Sequence, residues 1–130
     1  MKYIEDQHQM NLIKWTQQPH IREKWPELKL LYHVANERQC DPRMGKKLRL
    51  MGVRRGVPDL CLPVARGVYH GLYIEMKAES GSLTEEQKWW RDQLIKQKFF
   101  WSLCRGWESA AQILEWYMSL PAGDADERAE

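Results

Sequence analysis

Two short apolar runs flank a glycine-bounded turn in the middle of the chain. The first run, Asp59 to Val64 (DLCLPV), follows a Gly-Val-Pro turn, and the second, Leu72 to Lys77 (LYIEMK), alternates along its length. Alternation with a period of two is typical of a β-strand, and the turn from Gly67 to Gly71 is short enough to join a hairpin. The pattern therefore predicts two neighbouring antiparallel strands, which restricts the fold more than any other feature.

The segments on either side of this hairpin predict a mixture of helices and strands. Apolar periodicity and capping residues predict helices at Tyr3 to about Gln17, Arg43 to Met51 with Gly52 as its cap, Glu85 to about Lys98, and Glu108 to Leu120. Continuous apolar runs predict two more strands, Leu28 to Ala35 and Phe99 to Cys104, and Pro19 and Pro26 bracket a loop. This order predicts an α/β fold, a small mixed sheet of about four strands flanked by helices.

Length and composition restrict the chain to one domain with a single core. It has 130 residues and a mass of 15.5 kDa, with 43% hydrophobic and 29% charged residues. Residues 1–120 form the predicted domain, and the acid-rich tail at 121–130 is expected to be disordered. The sequence has no apolar run of ~18 residues, so we expect no membrane-spanning helix.

The cysteines and the first residues favour a reducing, cytoplasmic compartment. Cys40, Cys61 and Cys104 are odd in number and form no CxxC pair, which argues against a disulfide framework or a thiolate zinc site. The start, MKYIEDQHQM, contains acids and amides where a signal peptide would be apolar.

Asp59, Glu75 and Lys77 are the residues of the hairpin that could perform chemistry. Glu75 and Lys77 lie two apart in one strand and therefore share a face, while Asp59 can lie beside Glu75 at the same end. Two converging carboxylates suit Mg²⁺ or Mn²⁺, and a neighbouring lysine can orient a water molecule. The structural alternative is a surface ion pair between Glu75 and Lys77, with Asp59 as an ordinary strand-start residue.

The surrounding sequence resembles a known family. The string GVRRGVPDL, then IEMK, then GSLTEEQ, with 15 residues between Asp59 and Glu75, is similar to the VRR-NUC family. That family is a branch of the PD-(D/E)XK nuclease superfamily, and its two motif elements match Pro58-Asp59 and Glu75-Met76-Lys77. The resemblance extends from about Glu5 to Leu120 and implies a restriction-endonuclease-like fold.

The resemblance implies a role for each matching residue. Asp59 and Glu75 would bind Mg²⁺ or Mn²⁺ through their carboxylates, and Met76 through its backbone carbonyl. Lys77 would activate or position water. The resemblance therefore implies a metal-dependent phosphodiester hydrolase.

Two further polar residues match the family on neighbouring helices. Glu5 corresponds to an acid on the first helix, which would help hold the metal or its waters. Gln87 corresponds to a glutamine of the site on the helix after the motif strand. Glu5 could instead be a solvated acid favoured by the helix dipole. Gln87 also completes a capping box with Thr84, which would explain it alone. Weaker candidates are Gln9, His33 and Glu79.

A basic segment between positions 38 and 55 precedes Asp59. It contains seven basic residues and one acid, and the basic residues are Arg38, Arg43, Lys46, Lys47, Arg49, Arg54 and Arg55. Because the segment leads directly into the motif, it predicts a phosphate-binding surface beside the site. The alternative is a solvated basic helix.

The family and the length of the chain together suggest a substrate. Short stand-alone members resemble virus-type Holliday junction resolvases, so we expect structure-selective cleavage of branched DNA by a homodimer. One of the adjacent Trp89 and Trp90 could serve a subunit interface. The alternatives are a monomeric nuclease directed to flaps or nicks, and a DNA-binding module without catalytic activity.

Overall fold

A four-stranded sheet with helices on both faces forms the body of the protein. The computed structural model describes residues 2–35 and 41–122. In chain order the elements are α1 (Lys2–Thr16), α2 (Pro19–Lys24), a 3-10 helix (Pro26–Leu30), β1 (Tyr32–His33), α3 (Pro42–Leu50), β2 (Leu60–Leu62), β3 (Leu72–Lys77), α4 (Glu85–Lys96), β4 (Phe100–Arg105) and α5 (Trp107–Met118).

The strands follow one another across the sheet in the order β1-β2-β3-β4. β1 and β3 both run antiparallel to β2, and β4 runs parallel to β3. The predicted hairpin is confirmed, with Leu60 opposite Ile74. The parallel pair needs a crossover, which α4 supplies between β3 and β4. The predicted mixed α/β fold is therefore confirmed.

The two faces of the sheet differ in chemistry. One face contributes Leu60, Ile74 and Met76 to a core that also contains Leu12 of α1 and Leu114 of α5. The opposite face is covered by α4, whose Gln87 reaches Glu75 and whose Arg91 guanidinium lies over the ring of Trp101. The alternation of β3 thus directs its apolar residues to the core and Glu75 and Lys77 to the α4 face.

The segment between α1 and β2 differs from the sequence-based prediction. The stretch from Pro19 is a helix, α2, where a loop was predicted, and only Tyr32–His33 of the predicted strand from 28 to 35 is a strand. Pro19 and Pro26 each occupy the first turn of a helix, where the fixed proline φ favours helical backbone. The apolar run after Pro26 is short and continuous, so it has no period that distinguishes a strand from a helix.

The helices α3 and α4 are each followed by a residue with a positive φ. Gly52, with φ 105°, ends α3, and the N–H groups of Gly52 and Val53 donate to the carbonyls of Arg49 and Leu48. This is the Schellman arrangement, so the predicted glycine cap is confirmed. α4 ends two residues earlier than predicted, because Lys98 adopts φ 67° and turns the chain into β4.

The chain after α5 returns to the turn between β2 and β3. The N–H of Gly67 donates to the carbonyl of Pro121 at 2.7 Å, and Arg66 pairs with Ala122. The rest of the predicted tail lies outside the described residues, so its disorder remains a prediction. Among the helices of the described ranges, none has the length and apolar character needed to cross a membrane.

Candidate active site

The two motif carboxylates lie next to each other where β2 and β3 meet. Extending the register Leu60↔Ile74 by one residue places Asp59 opposite Glu75. Both side chains are buried, with 6% of Asp59 and 3% of Glu75 exposed. The Met76 N–H donates to Asp59 Oδ2 at 2.7 Å, which fixes the Asp59 carboxylate against the backbone of β3. The sequence-predicted pair is therefore brought together.

Met76 presents its backbone to the same edge. In an extended strand the N–H and C=O of one residue point to the same side, so the Met76 carbonyl also faces the Asp59 edge. No residue of β2 pairs with Met76 in the ladder, because β2 begins at Leu60, opposite Ile74. An oxygen from Met76 is thus available beside the two carboxylates.

Glu5 reaches this end of the sheet from α1. Its Oε1 accepts a hydrogen bond from the N–H of Ala78 at 3.3 Å, one residue beyond the end of β3. The two residues are 73 positions apart in the sequence. The first helix therefore contributes an acid to the carboxyl-terminal end of the motif strand, as the resemblance implies.

Gln87 makes both of the contacts that the sequence suggested. Its Oε1 accepts from the Thr84 N–H at 2.9 Å, and the Thr84 hydroxyl accepts from the Gln87 N–H at 3.1 Å, which completes a capping box. Its Nε2 also donates to Glu75 Oε2 at 3.4 Å. The oxygen of the Gln87 side chain thus completes the cap of α4, and its nitrogen binds the buried Glu75 carboxylate.

Lys77 lies on the α4 face of the sheet, half-buried, and its aliphatic part passes close to Gly81. In the parallel ladder it lies opposite Arg105 of β4. The Arg105 guanidinium donates to the carbonyls of Ala78 (2.9 Å), Glu79 (3.1 Å) and Gly81 (2.6 Å). Sequence reasoning missed Arg105, because nothing local indicates that a strand-end arginine organises a loop 24 to 27 positions away.

The weaker candidates take backbone or peripheral positions. His33 Nδ1 lies 3.0 Å from the Asp59 carbonyl, so that nitrogen must be the donor, since a carbonyl only accepts. The same nitrogen lies 3.1 Å from the side-chain nitrogen of Gln9, in the middle of α1. Glu79 is exposed and contributes only its carbonyl, to Arg105.

Gly56 attaches the segment that leads into Asp59 to α4. It has φ 90°, and a Cβ at this position would lie 2.5 Å from the carbonyl carbon of Glu86. No side chain fits there, so glycine is required both by the backbone angle and by the space. This contact aligns Asp59 of the hairpin with Gln87 of the neighbouring helix.

The predicted basic residues from Arg43 to Arg55 are exposed along α3 and the turn after it. Asp41, the one acid of the segment, is used as the cap of α3, with its Oδ1 accepting from the Met44 N–H at 2.9 Å. The Arg54 guanidinium folds back and donates to the carbonyl of Arg49 at 3.1 Å. Arg38 lies outside the described residues.

The donor set at the strand end consists of oxygens. Asp59, Glu75 and the Met76 carbonyl offer hard ligands of the kind that Mg²⁺ and Mn²⁺ prefer, so the residues fit such a cation. Within residues 2–35 and 41–122, no group of three or more His, Cys, Asp or Glu side chains is close enough to hold a metal ion alone. A cation here would therefore depend on the backbone oxygen or on substrate and water oxygens to complete its coordination.

Comparison with known proteins identifies the family of this fold. The model of the VRR-NUC domain matches residues 4–108. A solved structure described as a VRR-NUC domain protein superimposes with a TM-score of 0.76 at 28% identity, over 93% of this chain and 93% of that one. Comparison with curated proteins gives no significant match. The chain therefore belongs to the VRR-NUC family and is a nuclease of the PD-(D/E)XK type, a hydrolase that acts on DNA.

Proposed function

We propose that this nuclease is a metal-dependent, structure-selective endonuclease that cleaves branched DNA, and that it acts as a homodimer on four-way junctions. The observation that carries the proposal is that Asp59 lies opposite Glu75 and that Gln87 donates to Glu75. Glu5 of α1 binds the N–H of Ala78 just beyond the end of β3. Every acid and amide expected of the family is present in the chain. A DNA-binding module without catalytic activity would not need this set.

Asp59, Glu75 and the Met76 carbonyl would hold one or more Mg²⁺ or Mn²⁺ ions. When bound, such a cation neutralises charge on the scissile phosphate and lowers the pKa of a water molecule. The two buried carboxylates repel each other without a cation, and this gives the pair its affinity for positive charge. The bond from the Met76 N–H holds Asp59 in place, so little rearrangement is needed on binding.

Lys77 would position the attacking water and stabilise charge on the phosphate. It shares the α4 face with Glu75, two residues away, so its ammonium can reach the same space. Gln87 would orient Glu75 through its amide hydrogen bond. Glu5 and the Ala78 N–H that binds it would fix the start of the loop beside Lys77.

The basic residues of α3 and the following turn would hold the phosphate backbone of the DNA. They precede Asp59 along the chain, and Gly56 attaches the end of this segment to α4. Contacts with phosphates orient a duplex without reading its sequence. This suits an enzyme that selects DNA by shape. A homodimer suits the junction, because the twofold axis of a dimer matches two equivalent strands.

The cysteines support the proposal of a cytoplasmic location. Cys61 and Cys104 are free thiols and buried. Two free thiols in a domain of this size are more typical of a reducing compartment.

The test is cleavage of a labelled four-way junction with Mg²⁺ or Mn²⁺, beside a matched duplex, flap and nicked duplex. We expect paired, symmetric cuts in the junction and none with Lys77→Ala, and a mass of two chains by light scattering. Cuts in flaps or nicks alone, with a mass of one chain, would assign the monomeric alternative. Binding of all these DNAs without any cut would assign the inactive module.

A further inference from the structure

Two apolar side chains protrude from the basic helix α3. Leu50 is 80% exposed and Met51 is 71% exposed, at the end of the helix and in its cap position. Leu50 follows Lys46 and Lys47 by one helical turn, so the three residues lie on one face. An isolated exposed apolar side chain is common on protein surfaces, but two adjacent ones at a helix end are not. The other exposed side chains of α3 are mainly basic, with Met44, 46% exposed, two turns before Met51.

The packing of α3 makes no use of these two side chains. Within α3, Gly45 is buried and Leu48 is half-buried. The Schellman bonds from Gly52 and Val53 close its end without them. Leu50 and Met51 therefore form a protruding apolar tip, held in position by a regular helix end.

The charge around the Leu50–Met51 tip indicates the class of molecule that it contacts. On α3 and the turn after it, from position 42 to 55, the structure describes six basic side chains and no acid, which suits a polyanion rather than an apolar protein surface. We propose that the tip is a wedge, which inserts between bases where the stack of a DNA duplex is interrupted, while the basic residues hold the flanking phosphates. The proposal rests on the proposed function and names the feature that selects branched DNA.

The energetics favour interrupted DNA. Inserting an apolar side chain between stacked bases costs a few kcal/mol per step in an intact duplex, and less where the stack is already open. The wedge would therefore add affinity at a branch or a nick and almost none on continuous duplex.

The experiment uses the full chain with Lys77→Ala, so that binding is observed without cleavage. The probes are a four-way junction, a nicked duplex and a continuous duplex, each with 2-aminopurine at the matched position. On binding to the junction we expect the fluorescence to rise as the base unstacks. Adding Leu50→Ser and Met51→Ser should remove the rise and weaken junction affinity about tenfold, with duplex affinity changed less than about twofold.

Matched variants test whether the fluorescence rise depends on the apolar character of Leu50 and Met51. Val68→Ser removes a side chain that is 77% exposed at the opposite end of β3 and should change neither readout. Exchange of the two residues, Leu50→Met with Met51→Leu, should restore the fluorescence rise. Neither serine substitution should affect folding, because both side chains are exposed.

Several results would overturn the wedge. A fluorescence rise that survives the serine variant would do so, as would an equal loss of affinity on all three DNAs. A fall from two chains to one by light scattering would assign the tip to contact with a second copy. A rise at the nick, with no symmetric junction cuts by the wild type, would uphold the wedge and reject the resolvase.

Discussion

At the residue scale, the burial of Asp59 and Glu75 is the main physical fact of the site. Two adjacent carboxylates with 6% and 3% exposure are costly unless they are paired or bind a cation. Asp59 is partly compensated by the Met76 N–H and Glu75 by the Gln87 amide. The motif predicts these two residues from the sequence, but not the donors that bind their carboxyl groups.

Asp59→Asn tests this balance directly. The amide keeps an oxygen for the Met76 N–H, so the fold should persist, while one of two repelling charges disappears. We expect a melting temperature without metal that is equal to or above that of the wild type, and Mg²⁺ affinity lowered about tenfold or more. Calorimetry and thermal unfolding with and without Mg²⁺ measure both effects. Unchanged Mg²⁺ affinity would remove Asp59 from the cation site.

Tyr117 makes stability depend on alkaline pH. Its hydroxyl donates to the Val64 carbonyl at 2.6 Å, and burial raises the pKa of Tyr117 to about 12. The unfolded chain ionises near pH 10, so the native state should lose stability as the pH rises from about 10 to about 12. Burial also raises the pKa of Tyr73 to about 12, so part of the loss should remain without Tyr117.

We therefore expect Tyr117→Phe to lower stability by about 1–3 kcal/mol at pH 8, where a buried carbonyl loses its donor. Above pH 10 its further loss should be smaller than in the wild type. Urea unfolding at pH 8 to 11 measures both curves. Parallel curves for the two proteins would show that Tyr117 does not contribute to the alkaline transition.

At the element scale, residues near the first turns of two helices supply contacts of the candidate site. The capping box of α4 and the contact with Glu75 share Gln87, and the end of α1 that carries Glu5 binds Ala78. The helices and strands around the site were predicted closely from their caps and periodicity. The region from Pro19 to His33 was not, because its short apolar segments lack a period that distinguishes a helix from a strand.

Gln87→Glu separates the two roles of this residue. Glutamate retains the acceptor for the Thr84 N–H, so the cap and the stability of α4 should be preserved. It loses the donor to Glu75 and brings a third carboxylate, so we expect cleavage to fall about tenfold. Thr84→Ala is the matched control, which should cost about 1 kcal/mol of stability and leave the Gln87 amide in place. Equal cleavage by Gln87→Glu and the wild type would leave Gln87 with the cap alone.

At the scale of the whole molecule, the distribution of charge matters more than its sum. The net charge is only +2, yet the basic residues concentrate on α3 and the turn that leads into the site. Because bound DNA releases counterions, such a surface should give affinity that falls steeply with salt.

Reversing the charge of Arg54 and Arg55 to Glu should weaken DNA binding and flatten its salt dependence. The slope of log affinity against log salt should decrease by about 0.9 for each lost phosphate contact. Lys14→Glu with Lys96→Glu changes the net charge equally, at the helix ends away from Glu5 and Gln87, and should leave the slope nearly unchanged. DNA-binding titrations at several salt concentrations measure the slopes. Equal slopes for the two double variants would exclude Arg54 and Arg55 from the DNA interface.

Outside the region from Pro19 to His33, the sequence by itself determined the elements, the hairpin and the identity of the motif residues, because periodicity, glycine turns and capping residues act over a few positions. Only the tertiary structure decided which groups meet. Glu5 reaches Ala78 across 73 positions, Arg105 binds three carbonyls of a distant loop, and His33 reaches the carbonyl of Asp59. Those contacts follow from the packing of α1 against the sheet, from the parallel pairing of β3 with β4 and from the antiparallel pairing of β1 with β2. No local pattern in the chain encodes such long-range packing.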